Sequence, residues 1–276
     1  MLPVAAARPR VHRTLVVDRR QPHPLVAVLG LAAPDLASDV RPGQFVMAIC
    51  PQGVQPATAL AIYEAAGPRV SLMIIRCGPR TDELAALAVD ATLDVMGPLG
   101  NGFFLDTLPR HVGIVAGGVG IASVLKAAQH CTERGVRTTL YYGARTAAAL
   151  VDAALFAELG CEVKVATEDG TRGHCGYVTD LLLAGERPQL LLGCGPSAML
   201  RALSALANEK NIPAQLSLEE AFACGVGACW GCVVPLERGS AQAPRFPPPS
   251  ADEPRPFAHA RVCTEGPVFW AHELRW

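Results

Sequence analysis

Residues 111–121 read His111-Val112-Gly113-Ile114-Val115-Ala116-Gly117-Gly118-Val119-Gly120-Ile121, and this stretch decides the fold of the chain's middle. Val112–Ala116 is an apolar run of strand length, Gly117–Gly120 a turn, and Ile121–Cys131 reads as a helix. The rhythm then repeats. Thr138–Tyr142 is a second strand ending in Gly143-Ala144-Arg145, a helical stretch follows through Leu159, and Glu162–Thr167 is a third strand. Gln189–Leu192 runs into Gly193-Cys194-Gly195-Pro196 and a helix to about Leu206. Strands alternating with helices of about ten residues predict βαβ units and a parallel sheet.

On the N-terminal side the pattern differs. Thr14–Val17, Leu25–Leu29, Phe45–Ile49 and Val70–Ile75 are short apolar runs between Pro, Gly and Asp. They predict a small antiparallel β-barrel. One helical patch, Asp82–Ala88, interrupts them, with Thr81 as its expected N-cap. The fold class is therefore α/β plus β, in three segments. Residues 1–108 are the barrel, 109–215 a nucleotide-binding parallel-sheet domain, and 216–276 a small cysteine-bearing module. Within the last, 240–258 is a proline-rich polar insertion.

Composition narrows the function classes. Half of the 276 residues are hydrophobic, too many for a disordered chain. Lys and Arg number 24 against 25 Asp and Glu, so there is no basic excess to attract nucleic acid. The uncharged apolar stretches Val112–Leu125 and Ala221–Leu236 fall short of the ~18 apolar residues a membrane span needs. The first residues have no apolar h-region, and a cytoplasmic location is expected. The seven histidines are dispersed and read as surface or loop residues.

Six of the ten cysteines are scattered singly. The other four form Cys224-x4-Cys229-x2-Cys232, followed by Cys263 thirty-one positions later. This spacing matches the plant-type pattern in which four thiolates hold a 2Fe–2S cluster, and Gly225, Gly227 and Gly231 let the backbone wrap around it. Structural zinc is the alternative, but zinc ribbons usually pair two short knuckles. In the α/β domain the candidate dinucleotide-binding residues are Gly117, Gly118 and Gly120, Gly143 and Arg145, and Gly195 and Pro196. All lie at strand ends of one sheet edge, where open α/β folds bind ligands. Glu168 or Asp169 is placed to meet a hydroxyl. Cys194 is either a packed thiol or a residue lying against a nicotinamide ring.

Together these segments resemble the electron-transfer subunits of the class 1B dihydroorotate dehydrogenases, within the ferredoxin–NADP reductase superfamily. The resemblance covers essentially the whole chain. It is carried by Gly97-Pro98-Leu99-Gly100-Asn101-Gly102-Phe103, Gly117–Ala122, Gly143-Ala144-Arg145, Thr167-Glu168-Asp169-Gly170 and Gly176–Asp180. It continues through Cys194-Gly195-Pro196, Ser217–Glu220, Ala223–Cys229 and Arg261–Phe269. It implies FAD on the barrel, NAD(P) on the α/β domain and a cluster facing an FMN-containing catalytic subunit of a hetero-oligomer in pyrimidine biosynthesis. Electrons would pass from that subunit through the cluster to FAD and leave as a hydride. By position, the family's flavin residues fall on Thr58, Ala61 and Ile62 and on Gly78, Arg80 and Thr81.

The sequence departs from the family there. Arg-Pro-x-Ser-Ile becomes Thr58-Ala59-Leu60-Ala61-Ile62, Leu-Tyr-Arg becomes Met73-Ile74-Ile75, and the Gly-x-Gly-Thr turn becomes Gly78-Pro79-Arg80-Thr81. The loss of a charge-assisted phosphate contact costs ~1.5–3 kcal/mol, one to two decades in affinity. Arg76 stands one position along, where strand alternation turns it to the other face. Ala221 and Phe222 replace the family's Arg and Met. These departures point to a paralogue serving another catalytic subunit, and they raise an alternative: a flavin-free iron–sulfur relay or structural subunit. A zinc-stabilised binding module is a third reading. Trp230, Phe269, Trp270 and Trp276 are either a partner face or a modest aromatic core.

Overall fold

The computed structural model describes residues 9–51, 56–237 and 258–276. Strands β1 (Arg10–His23), β2 (Val26–Ala32), β3 (Phe45–Ile49), β4 (Thr58–Ala66), β5 (Arg69–Ile75) and β6 (Thr92–Leu99) form a closed antiparallel barrel. Its order is β1-β2-β5-β4-β3-β6. Strand alternation sorts the side chains. Ile62, Leu72 and Ile74 fill the barrel interior, while Ala61, Met73 and Ile75 face outward toward the rest of the chain. Helix α1 (Pro34–Ala37) is one short turn.

The helical patch starts earlier than its sequence suggests. Helix α2 spans Pro79–Ala85 with Gly78 at its N-cap, because proline suits a first helical turn. Thr81 is no cap: its hydroxyl accepts the Cys77 N–H at 2.9 Å and donates to the Gly78 carbonyl.

The second sheet begins with β7 (His111–Gly117), which leads through α3 (Ile121–Thr132) to β8 (Arg137–Ala144). Helix α4 (Ala153–Glu158), β9 (Glu162–Thr167), β10 (His174–Cys175) and α5 (Val178–Leu183) follow. Next come β11 (Leu190–Cys194), α6 (Ser197–Lys210) and β12 (Ala214–Ser217). The C-terminal region adds β13 (Val233–Leu236) and β14 (Ala258–Arg261), which pair with each other, and β15 (Val268–Trp270). The sheet order is β10-β9-β8-β7-β11-β12-β15, parallel throughout except for β15. Helix α3 lies between sheet and barrel, with Lys126 donating to the Ala65 carbonyl and Gln129 to Glu64 on β4.

Some local readings change in three dimensions. The helical stretch expected through Leu159 is split into a 3₁₀ turn at Ala147–Ala149 and α4, with Asp152 in a left-handed conformation between them. His111 is no surface residue: it is buried, its Nε2 lies 2.9 Å from Thr139 Oγ1, and burial lowers its pKa. Strand β12 runs across residue 215, and β15 returns from the C-terminal segment to pair with it. Of the insertion at 240–258, all but Ala258 lies outside the described residues, and Ala258 opens β14.

Candidate functional site

A cavity of about 710 Å³ lies where the barrel meets the parallel sheet. That is within the ~300–1,000 Å³ typical of small-molecule sites. From the barrel it is lined by Phe45, by Thr58–Ala61, by Met73 and Ile75, and by the turn Cys77–Thr81. From the turn after β7 and the start of α3 come Val119, Ala122 and Ser123, and from the end of β12 and the segment after it come Ser217–Glu220 and Phe222. Thr58, Ala61, Gly78, Arg80 and Thr81 are thus brought together. Ile62 is not: alternation turns it into the barrel core, where it is 1% exposed. Arg76 also stays outside the cavity, 3.8 Å from Asp82.

The strand order reverses between β8 and β11, on either side of β7, so the crevice above β7 is the topological switch point. Gly117 pairs with Gly143 on one side, and Ala116 pairs with Cys194 on the other. The glycines divide by what surrounds them. A Cβ on Gly120 would lie 2.3 Å from the Cys194 carbonyl oxygen, so that glycine permits close backbone packing. Gly118 has φ +50 and nothing within 4 Å of a would-be Cβ, leaving open space above the turn. Its carbonyl accepts the Tyr142 hydroxyl at 3.0 Å. Along the edge, Asp169 N–H donates to the Arg145 carbonyl at 3.2 Å, which places those two candidates side by side. The Asp169 carboxylate accepts the Thr171 hydroxyl at 2.6 Å, and that bond holds its pKa below the ordinary carboxylate value.

Cys194, expected at the reacting centre, is fully buried and does not line the cavity. Its thiol lies 3.7 Å from Glu219 Oε1, with Ser123 and Ser217 also beside it. Burial and the nearby carboxylate push the thiol up to about 12. Glu219 is exposed as a residue, yet its carboxyl end reaches in to the Cys194 thiol, and burial there raises its pKa. Ser123, Ser217 and Glu219 do line the cavity, so they form a polar wall with the thiol behind it. Sequence reasoning assigned these three no role. Ser217 and Glu219 stood in a quoted motif, and only the pairing of β11 with β12 reveals that they face Cys194.

The four C-terminal cysteines fall in two pairs. Cys224 Sγ accepts the Cys229 N–H at 3.4 Å, and Cys232 Sγ accepts the Cys263 N–H at 3.5 Å. Burial opposes ionisation of Cys224, but the backbone N–H groups of Cys229, Val226 and Ala228 outweigh it and bring the thiol down to about 6. Cys263 goes the other way, to about 12, through burial and the neighbouring Cys232. Among the described residues, no group of three or more His, Cys, Asp or Glu side chains is arranged to hold a metal ion. Gly225 packs against Met47, where a Cβ would lie 2.5 Å from Cγ. Phe222 stacks on Phe45 at 4.8 Å, so the loop preceding the cysteines forms one wall of the cavity. Arg261 donates to the Gly227 carbonyl at 3.0 Å and lies over Trp230 at 5.0 Å. Of the four aromatic residues, Phe269 is core and Trp270 half-buried, while Trp230 and Trp276 are exposed.

An antiparallel barrel abutting a parallel nucleotide-binding sheet, with a cavity at their junction, is the architecture of the ferredoxin reductases. The ferredoxin reductase of carbazole 1,9a-dioxygenase superposes with a TM-score of 0.65 at 22% identity, over 76% of this chain and 68% of that one. The NADH-dependent reduced ferredoxin-NADP oxidoreductase structure matches with a TM-score of 0.79 at 26% identity, over 96% of this chain and 90% of that one. Residues 114–205 match the oxidoreductase NAD-binding domain family. The dihydroorotate dehydrogenase B (NAD(+)) electron transfer subunit of Clostridium acetobutylicum is 32% identical over 238 residues, spanning 86% of this chain and 87% of its own. Its counterpart in Geobacillus kaustophilus is 35% identical over 241 residues, spanning 85% and 86%. The chain belongs to the family of dihydroorotate dehydrogenase B electron transfer subunits. Among the described residues, no helix is long and apolar enough to cross a membrane.

Proposed function

We propose that this chain is the NAD-facing subunit of a cytoplasmic two-component oxidoreductase, with FAD in the junction cavity and a 2Fe–2S cluster on the cysteine loop. One observation carries the reading. A single cavity has the switch-point turn of the NAD-binding sheet on one side and the cysteine-bearing segment on the other, through Phe222. FAD, when bound, exchanges a hydride with a nicotinamide and single electrons with an iron–sulfur cluster.

The residues present suit these groups. The two cysteine pairs would supply the four thiolates of such a cluster, and Cys224 already sits among backbone donors that favour its ionised form. Ala59, Ala61, Met73 and Ile75 offer an apolar wall for a flat ring, and Gly78, Arg80 and Thr81 offer polar groups at the rim. Gly118, Arg145 and Asp169 lie along the edge where a dinucleotide would bind. Ser123, Ser217 and Glu219 give the inner wall two hydroxyls and a carboxyl whose pKa is raised, so a proton is held close to it. Functionally the barrel corresponds to 1–108, the NAD-binding domain to 109–215 and the cluster module to 216–276. Exposed Val226 and Trp230 beside the cysteines are the proposed face for the catalytic subunit.

The test is an absorbance spectrum of anaerobically purified protein, with iron and released flavin quantified in the same sample. Two irons and one FAD per chain are expected. Colourless protein holding zinc would overturn the reading. Red-brown protein that takes up no added FAD would reduce the chain to a relay.

A further inference from the structure

We propose that Arg80 carries the positive charge that holds the diphosphate of the flavin, presenting it from the turn that opens α2 rather than from strand β4. The proposal rests on the reading of the junction cavity as an FAD site. Among the described residues, Arg80 is the only lysine or arginine lining that cavity; its other charged lining residues are Glu219 and Glu220. Strand β4 contributes one hydroxyl, Thr58, followed by Ala59, Leu60 and Ala61. A diphosphate entering such a cavity needs a cation and planar donors, and a guanidinium supplies both.

Arg80 is free to do this. It is exposed and makes no ion pair with a carboxylate among the described residues, whereas Arg76 faces Asp82. Gly78, two residues before it, has nothing within 4 Å of a would-be Cβ, so the turn is open to a ligand. The Arg80 charge is felt at Cys50, whose thiol lies beside Thr58, so its influence crosses from the α2 turn to the start of β4. The distribution of charge also orients the occupant. Its diphosphate belongs at Arg80, away from the repulsion that Glu219 and Glu220 would impose, and its isoalloxazine ring belongs toward Ser123, Ser217 and Glu219. Because the cation sits on an exposed turn, salt screens it, and flavin affinity should fall with ionic strength.

The experiment titrates riboflavin, FMN and FAD into flavin-stripped, full-length protein, following flavin fluorescence at low and high salt. Wild type, Arg80→Ala, Arg80→Lys and Arg76→Ala are compared, with circular dichroism confirming the fold of each. The expected result is a 10- to 100-fold weaker FAD dissociation constant in Arg80→Ala and a smaller loss in Arg80→Lys. Riboflavin affinity should not move, and Arg76→Ala should bind FAD like wild type. Equal FAD affinity and equal salt dependence in wild type and Arg80→Ala would overturn the role of Arg80 while leaving the FAD reading in place. Loss of riboflavin binding together with FAD in Arg80→Ala would also overturn it. Wild-type protein that binds no flavin at all would overturn both.

Discussion

At the residue scale, Glu219 is a cavity-lining carboxyl that couples the site to pH, exposed as a residue but with its carboxyl end reaching the buried Cys194 thiol. It is raised by burial, so the native state holds its proton more tightly than the unfolded chain does. Stability from this group is full below the ordinary carboxylate range and is lost as pH rises through the raised native value. Glu219→Gln should flatten that loss, which urea unfolding at a series of pH values would read; parallel profiles for both proteins would refute the assignment. The two glycines of the switch-point turn should separate in the same way. Gly120→Ala forces a Cβ onto the Cys194 backbone and should destabilise the fold by about 3 kcal/mol. Gly118→Ala meets no atom and should cost only about 1–2 kcal/mol through its left-handed conformation. Its larger effect should be weaker NAD binding, measurable by calorimetry.

At the element scale, the barrel and the sheet are clasped by a network no motif announces. Arg20 on β1 donates through Nη1 to Asp152 Oδ1 at 2.9 Å, and Tyr63 on β4 donates to Asp152 Oδ2 at 2.7 Å. Asp152 is the left-handed residue that opens α4, so the contact ties two barrel strands to the sheet's crossover. Asp152→Ala strands a guanidinium and a buried phenol. Arg20 still reaches water, so the loss should fall below the 3–5 kcal/mol of a fully buried pair, at about 2 kcal/mol. Denaturant midpoints of the single and double variants with Arg20→Met would measure it, and a loss near zero would show the clasp to be incidental. The shortened α4 follows from the same contact. Local helix propensity runs through 147–159, but the clasp fixes a backbone conformation that helix cannot adopt.

At the scale of the whole molecule, the cavity has no single owner. Its lining comes from barrel strands, the β7 turn and the segment leading to the cysteines. Asn101, just past β6, bonds the backbone of Glu265 and Val268, which pins the cysteine-bearing return to the barrel. A ligand in that cavity should therefore stabilise all three parts together. FAD at 100 times its dissociation constant should add about 2.7 kcal/mol and move one thermal transition upward. A transition that splits, with only the barrel shifting, would show that the parts bind and unfold independently.

Much of this was legible in order along the chain. Apolar runs with glycine punctuation determined the parallel sheet, because strand and helix periods are local properties. The cysteine spacing likewise marked out the thiols of the proposed cluster loop, because three of the four are close in sequence. What lay beyond the sequence was every relation made across distance. Ile62 and Ala61 are neighbours, yet only barrel closure sends one inward and the other to the cavity. Cys194 and Glu219 are 25 residues apart and meet because β11 pairs with β12. The partners of Asp152 lie 89 and 132 residues away. Periodicity and spacing act within an element, so sequence by itself determined the elements and where the cysteines cluster. Which side chains share a cavity depends on how sheets close and cross, and only the tertiary structure decided that.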